Sequence, residues 1–191
     1  MTIAAPLPDD ATIRALRRRI TRPIVLVGMM GVGKSTVGRK LASTLGMDFV
    51  DADDEIANAA NMTIPEIFDL FGEAYFRDGE CRVIARLLEE KGSDCVIATG
   101  GGAFVQDRTR ELILDRGLAI WLDSDVETLV ERVSRNDKRP LLRDGDTRQI
   151  VSRMKSDRAP AYSLAPIKVQ SDTGPHSVAV ARILEELDAW V

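Results

Sequence analysis

A glycine-rich segment that ends in lysine and serine is the most chemically specific feature of this chain. Residues 28–35 read GMMGVGKS and fit the pattern G-x-x-x-x-G-K-[ST], with the apolar run Ile24–Val27 before them and the helical pattern Lys34–Leu45 continuing from them. Glycines in such a turn let backbone N–H groups surround a phosphate, and the helix N-terminus adds positive charge. The segment therefore predicts a nucleotide phosphate site, with Lys34 reaching the phosphates and Ser35 binding Mg²⁺.

Two carboxylates, Asp51 and Asp53, follow the short predicted strand Phe49–Val50. Ligands of open parallel sheets bind beyond the carboxyl ends of the strands, and alternation along an extended segment turns these two side chains to the same side. One acid could support Mg²⁺, while the other could bind a substrate hydroxyl or take its proton. The same segment also fits a helix N-cap at Asp53 or Asp54.

Two other strand ends carry residues of interest. Three glycines, Gly100, Gly101 and Gly102, follow the predicted strand Val96–Thr99 and could bring backbone N–H groups close to a ligand, although a simple flexible turn has the same composition. Asp123 follows the predicted strand Leu118–Leu122 and resembles the metal-binding acid of a Walker B strand. It is the alternative to Asp51 as the magnesium-side acid.

Arginines recur in distinctive local contexts. Arg77 follows Phe76, Arg139 precedes Pro-Leu-Leu, and Arg158 begins the sequence Arg-Ala-Pro-Ala-Tyr. Taken alone each fits an ordinary surface residue. Guanidinium groups bind planar carboxylates and phosphates in bidentate fashion, so together they suit a substrate that bears a carboxylate.

Charge and composition exclude several classes of protein. The 191 residues carry 26 Lys and Arg against 30 Asp and Glu, giving a net charge of −4 that argues against a duplex nucleic-acid binder. Positive charge concentrates in residues 132–158, with nine basic and four acidic side chains, which suggests an anion bound at one place. One histidine and two cysteines are too few for a zinc cluster, and a Ser-His-Asp triad would have to use His176.

Strand and helix patterns alternate along the chain. The remaining predicted strand is Ile167–Val169, and the further helices are predicted at 53–60, 64–71, 73–90, 107–115, 125–134, 146–158 and 175–189. Such alternation predicts an α/β fold, with parallel strands joined by right-handed crossovers and helices on both faces of the sheet. The polar segment 136–145 predicts a mobile loop between two helices.

The first 21 residues form a separate leader segment in this interpretation. Four arginines, at positions 14, 17, 18 and 19, lie in a short helical pattern that predicts a solvated helix, with a nucleic-acid or membrane arm as the alternative. The segment lacks a secretory apolar region, and no stretch approaches the roughly 20 apolar residues of a membrane span. With two isolated cysteines, these features predict a cytoplasmic protein with neither a membrane nor a nucleic-acid partner.

The ordered set of motifs resembles the shikimate kinase family. The likeness extends from about residue 22 to about 187 and rests on residues 31–36, 51–53, 76–77, 100–102, 139–142 and 158–162. It implies a three-layer P-loop NTPase fold at 22–191, with five parallel strands in the order 2-3-1-4-5 and a mobile lid at about 135–147. It also implies transfer of the ATP γ-phosphoryl group to the 3-hydroxyl of shikimate, a step of chorismate and aromatic amino-acid biosynthesis.

The resemblance assigns roles to individual positions. Asp53 matches the residue that binds the substrate hydroxyls and is the candidate base, and Arg139 matches the lid arginine that reaches the ATP phosphates. Arg77 and Arg158 match the pair that binds the substrate carboxylate, and Gly101 a backbone contact to substrate. Asp51 matches an acid on the magnesium side, which favours it over Asp123. The positions matching the nucleotide site are Gly31, Val32, Gly33, Lys34, Ser35 and Thr36, with Arg132 packed on adenine.

One departure and three alternatives accompany this interpretation. The family often has Val-Asp-Thr after its last strand, where this chain has Val-Gln-Ser-Asp at 169–172. The alternatives are another small-molecule kinase of the same fold, such as a gluconate or nucleoside monophosphate kinase, a nucleotide-binding module without catalysis, and nucleic-acid binding through residues 14–22. A switch GTPase is disfavoured because the chain has no N-K-x-D element. The enzyme is expected to act as a monomer with Mg²⁺ as cofactor and ATP as co-substrate.

Overall fold

Five parallel strands form the centre of the computed structural model, which describes residues 7–134, 146–171 and 174–191. The strands are β1 (Ile24–Val27), β2 (Asp48–Asp51), β3 (Cys95–Ala98), β4 (Leu118–Asp123) and β5 (Ile167–Gln170). Their order in the sheet is β2-β3-β1-β4-β5, and every pairing is parallel. The predicted α/β class and strand order are therefore confirmed.

Helices connect the strands. They are α1 (Asp10–Arg19), α2 (Lys34–Leu45), α3 (Ala52–Ala60), α4 (Ile64–Glu90), α5 (Asp107–Arg116), α6 (Val126–Ser134), α7 (Thr147–Tyr162) and α8 (His176–Trp190), with short 3-10 turns at Gly92–Asp94 and Ala103–Val105. The helix α4 is broken at Gly72, whose φ of 79° and ψ of 174° are not helical. This break separates the two helices predicted at 64–71 and 73–90.

The three central strands are buried along their whole length because helices cover both faces of the sheet. Every residue of β1, β3 and β4 is buried, which explains why these strands are continuous apolar runs without alternation. The carboxyl ends of β1, β2 and β3 meet at one edge, where Asp51 pairs in register with Ala98. The phosphate loop, the acidic pair and the glycine triplet are thus brought to the same edge.

The helix α1 differs from the solvated leader that its arginines suggested. Leu16 and Ile20 are each only 3% exposed and join the main apolar core. Arg19 bonds to Asp188 and to the Val191 carbonyl at the end of α8. The sequence pattern predicted too much exposure for this helix. Four arginines dominate its composition, while its apolar face is narrow.

Two helix boundaries also differ from the prediction. The helix α7 was expected to end at residue 158 but continues to Tyr162 with Pro160 inside it, and buried Tyr162 holds the last turn against the core. The helix α3 begins at Ala52, and its N-cap is Asp51 in place of Asp53 or Asp54, because the Asp51 side chain accepts a hydrogen bond from Asp53 N.

Candidate active site

The phosphate loop joins buried β1 to the start of α2. Gly31 has a φ of 80° and Gly33 a φ of 99°, in the left-handed region that favours glycine. Lys34 is 8% exposed, and its Nζ donates to the carbonyls of Gly28 at 2.8 Å and Met29 at 2.9 Å. The ammonium group therefore lies inside the curve of the loop, where a bound phosphate would be within its reach.

Two later segments of the chain bond to the same carbonyl of this loop. Arg132 Nη1 donates to Val32 O at 3.0 Å, and Ser171 Oγ donates to the same oxygen at 3.1 Å. Arg132 comes from α6, whereas Ser171 follows β5. The backbone that leads into Gly33 and Lys34 is thus fixed from outside the loop.

The two carboxylates at the end of β2 have different surroundings. Ser35 Oγ donates to Asp51 Oδ2 at 2.5 Å, so Asp51 is joined to the start of α2 as well as capping α3. Burial raises the pKa of the Asp53 carboxyl and the charge of Asp51 raises it further, while Lys34 and Arg77 lower it. The net result is that the pKa of Asp53 lies above its ordinary value.

Arg77 pairs with a buried acid one turn further along α4. Its Nη1 is 2.7 Å from Glu80 Oε2, and its Nη2 is 3.1 Å from Glu73 Oε1. Burial alone would lower the pKa of Arg77, but the two glutamates outweigh this effect and raise it. A Cβ at Gly102 would be 2.5 Å from Arg77 Nη2, so only glycine leaves room for the guanidinium there.

The carbonyl oxygen of Gly101 accepts hydrogen bonds from two side chains of α7. Arg158 Nη1 donates to it at 3.1 Å and Tyr162 Oη at 2.5 Å. Burial raises the pKa of the Tyr162 hydroxyl, which keeps it protonated as a donor. These bonds hold the arginine of α7 beside the glycine triplet that follows β3.

A single cavity of about 660 Å³ brings most of the predicted site residues together. One side of its lining includes Asp53, Arg77, Gly101 and Arg158, and the phosphate-loop side includes Gly31, Gly33, Lys34, Ser35, Thr36, Arg132 and His176. Val32 is fully buried beneath the loop, and Asp51 lies behind Ser35, so neither is among the residues that line the cavity. Arg139 lies outside the described residues, as does the predicted lid except for Asp146 and Thr147.

Asp123, the alternative magnesium-side acid, is engaged elsewhere. Its carboxylate pairs with Lys155 at 2.9 Å and Lys168 at 3.1 Å. It is absent from the described residues that line the cavity. Asp51, bonded to Ser35, is therefore the acid that the fold places beside the phosphate loop.

Four residues to which the sequence analysis assigned no role at this site make contacts that support it. Glu80 supports Arg77, Tyr162 bonds to Gly101, Ser171 bonds to the phosphate loop, and His176 lines the cavity beside Gly33. The spacing of Arg77 and Glu80, three positions apart on a helix, could have revealed that pair. The other contacts join segments far apart in sequence, so no local pattern signals them.

The described residues contain neither a membrane-spanning helix nor a cluster of three or more His, Cys, Asp or Glu side chains placed to hold a metal.

A parallel sheet of this order, with a G-x-x-x-x-G-K-S loop between β1 and α2, defines a P-loop NTPase fold. The sequence profile of the shikimate kinase family matches residues 30–188. The chain belongs to the shikimate kinase family.

Individual relatives agree with this assignment. The chain is 58% identical to a shikimate kinase of Novosphingobium aromaticivorans over 98% of both chains. It is 51% identical to a shikimate kinase of Bradyrhizobium diazoefficiens, over 97% of this chain and 89% of that protein. A solved structure of the Acinetobacter baumannii shikimate kinase in complex with shikimate matches with a TM-score of 0.84 and 36% identity, covering 91% of this chain and 97% of that one.

Proposed function

We propose that this protein transfers the γ-phosphoryl group of ATP to the 3-hydroxyl of shikimate, giving shikimate 3-phosphate and ADP. The observation that carries the proposal is the shared cavity, in which two arginines and Asp53 face the phosphate loop. A hydroxylated carboxylic acid fits this arrangement because its carboxylate needs guanidinium partners and its hydroxyl needs a carboxylate acceptor.

The substrate side would be assembled from three separate elements. Arg77 from α4 and Arg158 from α7 would bind the carboxylate of shikimate, while Asp53 from α3 would accept a hydrogen bond from its reacting hydroxyl. The Glu80 contact fixes the rotamer of Arg77, and the Gly101 carbonyl fixes that of Arg158. Both arginines are thus oriented before the substrate arrives, which reduces the entropy lost on binding.

The nucleotide side would use the loop and the start of α2. Backbone N–H groups of residues 31–36 would surround the β-phosphate, and Lys34 would exchange its carbonyl partners for phosphate oxygens. Arg132 lines the cavity and bonds to the Val32 carbonyl of this loop, and this position is compatible with the predicted contact to adenine. Arg139 is proposed, from the family pattern alone, to reach the ATP phosphates.

The donor set beside Ser35 fits Mg²⁺. A hydroxyl and a carboxylate supply hard oxygen ligands, and two protein groups suffice for an ion that keeps several waters and binds substrate phosphates. Ser35 would ligate the ion, and Asp51 would hold it through water. When bound, the ion neutralises charge on the phosphate oxygens.

In the proposed transfer the substrate hydroxyl oxygen forms a bond to the γ-phosphorus while the bond to the β–γ bridging oxygen breaks. The hydroxyl proton passes to Asp53, whose raised pKa suits it to accept that proton. Lys34 stabilises the charge that spreads over the phosphoryl oxygens. Because a loose transition state needs little early proton removal, orienting the hydroxyl is the larger contribution of Asp53. Every group named comes from one chain, so a monomer suffices.

Release of ADP in a coupled assay, with and without shikimate, tests this proposal. We expect turnover that depends on shikimate, with gluconate and a nucleoside monophosphate as inactive controls. Lys34→Met should abolish ADP release, and this loss would show that the activity does not come from a contaminating kinase. Turnover of equal rate without shikimate, or preference for either control substrate, would contradict the proposed activity.

A further inference from the structure

Asp123, the last residue of β4, is a carboxylate whose partners come from two other elements. Its Oδ1 lies 2.9 Å from Lys155 Nζ of α7, and its Oδ2 lies 3.1 Å from Lys168 Nζ of β5. The backbone N–H of Ser124 donates to Oδ1 at 2.9 Å. The Asp123 side chain is only 12% exposed and that of Lys155 is 26% exposed, whereas that of Lys168 is 51% exposed, so water screens the Lys155 pair less than the Lys168 pair.

The lysine of α7 lies on the same helical face as the site residues of that helix. Lys155, Arg158 and Tyr162 are spaced by three and seven positions, which places them on one face. Lys155 Nζ also donates to the carbonyl of Ser124 at 2.5 Å, so two groups at the end of β4 hold it.

A second attachment joins the same strand to the same helix. The ring of Trp121 stacks on Tyr162 with centroids 5.8 Å apart, and the Tyr162 hydroxyl bonds to Gly101. Trp121 and Asp123 are alternate residues of β4, so both project from one face of the sheet. The strand β4 therefore contacts α7 at Lys155, which precedes Arg158, and at Tyr162, which follows it.

We propose that Asp123 is a positioning residue that places Arg158 in the cavity through Lys155. This inference rests on the proposed function, in which Arg158 binds the substrate carboxylate. The strand end that resembles a Walker B motif serves, on this account, to fix a helix and not to bind a metal. Both of its oxygens are already paired with ammonium groups, and Asp51 occupies the position beside Ser35.

Steady-state kinetics of Asp123→Asn and Lys155→Met test this role. Displacement of Arg158 by a fraction of an ångström should raise the shikimate KM of both variants on the order of tenfold. The ATP KM and the Mg²⁺ concentration for half-maximal rate should change less than about twofold, since the phosphate loop is untouched. Isothermal titration with shikimate alone should show the same loss in affinity, and Arg158→Ala gives the size of a complete loss.

Matched variants separate positioning from general destabilisation. Lys155→Arg keeps the ion pair and should restore most of the shikimate affinity. Lys168→Met removes the other ion-pair partner of Asp123 and keeps the Lys155 pair. Lys168 Nζ also lies 4.1 Å from the centroid of the Trp121 ring, and the methionine side chain can still cover that ring, so the shikimate KM should stay within about twofold of the parent. The double variant Asp123→Asn with Lys155→Met should have a shikimate KM no higher than that of Lys155→Met alone, because Lys155→Met already removes the pair through which Asp123 acts on α7.

Two results would overturn the role of Asp123. One is an active parent enzyme whose Lys155→Met variant keeps the parental shikimate KM. The other is an Asp123→Asn variant with an increased Mg²⁺ requirement and an unchanged shikimate KM, which would assign the residue to the metal. A parent enzyme that does not phosphorylate shikimate at all would instead contradict the proposed function.

Discussion

Arg77 and Glu80 form an ion pair one turn apart on α4, with Nη1 and Oε2 separated by 2.7 Å and the glutamate side chain fully buried. The second carboxylate oxygen, Oε1, has no hydrogen-bond partner among the described residues. Burial raises the pKa of Glu80, and the charge of the neighbouring Arg77 offsets only part of that rise. A buried acid in this setting is stabilising only while its arginine partner stays in place, so the pair fixes the guanidinium toward the cavity.

Glu80→Gln keeps the side-chain shape and removes the charge that orients Arg77. We expect the shikimate KM to rise about tenfold, because hydrogen bonds to charged groups contribute roughly 1.5–3 kcal/mol. The ATP KM should hardly change. Glu73→Gln is the control in steady-state assays, since Glu73 also contacts Arg77 but is 64% exposed. Equal effects of the two changes would show that burial of Glu80 is unimportant.

Gly102→Ala tests the space around Arg77. The new methyl group would stand 2.5–2.7 Å from the guanidinium atoms and displace them, so shikimate affinity measured by titration should fall roughly 10- to 100-fold. Gly79→Ala is a matched change on α4, where nothing lies within 4 Å of the added atom. That control should keep its affinity and gain up to about 1 kcal/mol of stability from helix propensity. An unaltered affinity in Gly102→Ala would mean that Arg77 does not need its present position.

Asp53→Asn should lower kcat by roughly 100-fold, because the neutral amide cannot take the hydroxyl proton and orients the hydroxyl less firmly than a charged acceptor. In the parent, kcat/KM should fall as pH decreases through the raised pKa of Asp53, because only the carboxylate accepts the substrate proton. Quench-flow or coupled assays between pH 5 and 9 measure both effects. Asp54→Asn, an exposed neighbour, should be nearly as active as the parent.

The substitution Asp53→Asn should also increase the thermal stability of the protein at neutral pH. A carboxyl whose pKa is raised in the folded state contributes stability below its unfolded pKa, near 3.8, and that contribution is lost as pH rises through the folded pKa. The amide lacks this pH dependence, so Asp53→Asn should melt above the parent at pH 7, and the difference should shrink toward pH 4. A variant that melts lower than the parent at pH 7 contradicts the assigned cause of the pKa shift.

Ser35→Ala removes a hydroxyl ligand proposed for Mg²⁺. We expect the Mg²⁺ concentration for half-maximal rate to increase about tenfold, with a smaller effect on the shikimate KM. Ser35→Thr retains the hydroxyl and is compatible with the loop pattern, so it should stay close to the parent. If the alanine variant keeps the parental Mg²⁺ requirement, Ser35 only supports Asp51.

Local chemistry explains why so much of this fold could be predicted. The phosphate loop, the strand ends and the break at Gly72 are each encoded within a few neighbouring residues. The strand order followed from the family resemblance of the ordered motifs, and it is confirmed. The end of α7 was placed too early because a proline in the last turn looks like a stop signal, whereas burial of Tyr162 continues the helix.

Long-range contacts explain what could not be predicted. Ser171 and Val32 are 139 positions apart, and Tyr162 and Gly101 are 61 apart, so only the folded chain brings them together. The strand of Asp123 fits a metal-binding motif, whereas the two lysine partners of Asp123 lie on α7 and β5, far from it in sequence. Sequence pattern identifies which groups could react but says little about what holds them.

The two bonds to the Val32 carbonyl have a consequence for protein engineering. This phosphate loop takes part of its shape from donors 100 and 139 positions further along the chain. Grafting residues 28–36 onto another strand and helix would transfer the glycines and Lys34 without the two external donors. The unit that could be transplanted is therefore the loop together with α6 and the turn after β5.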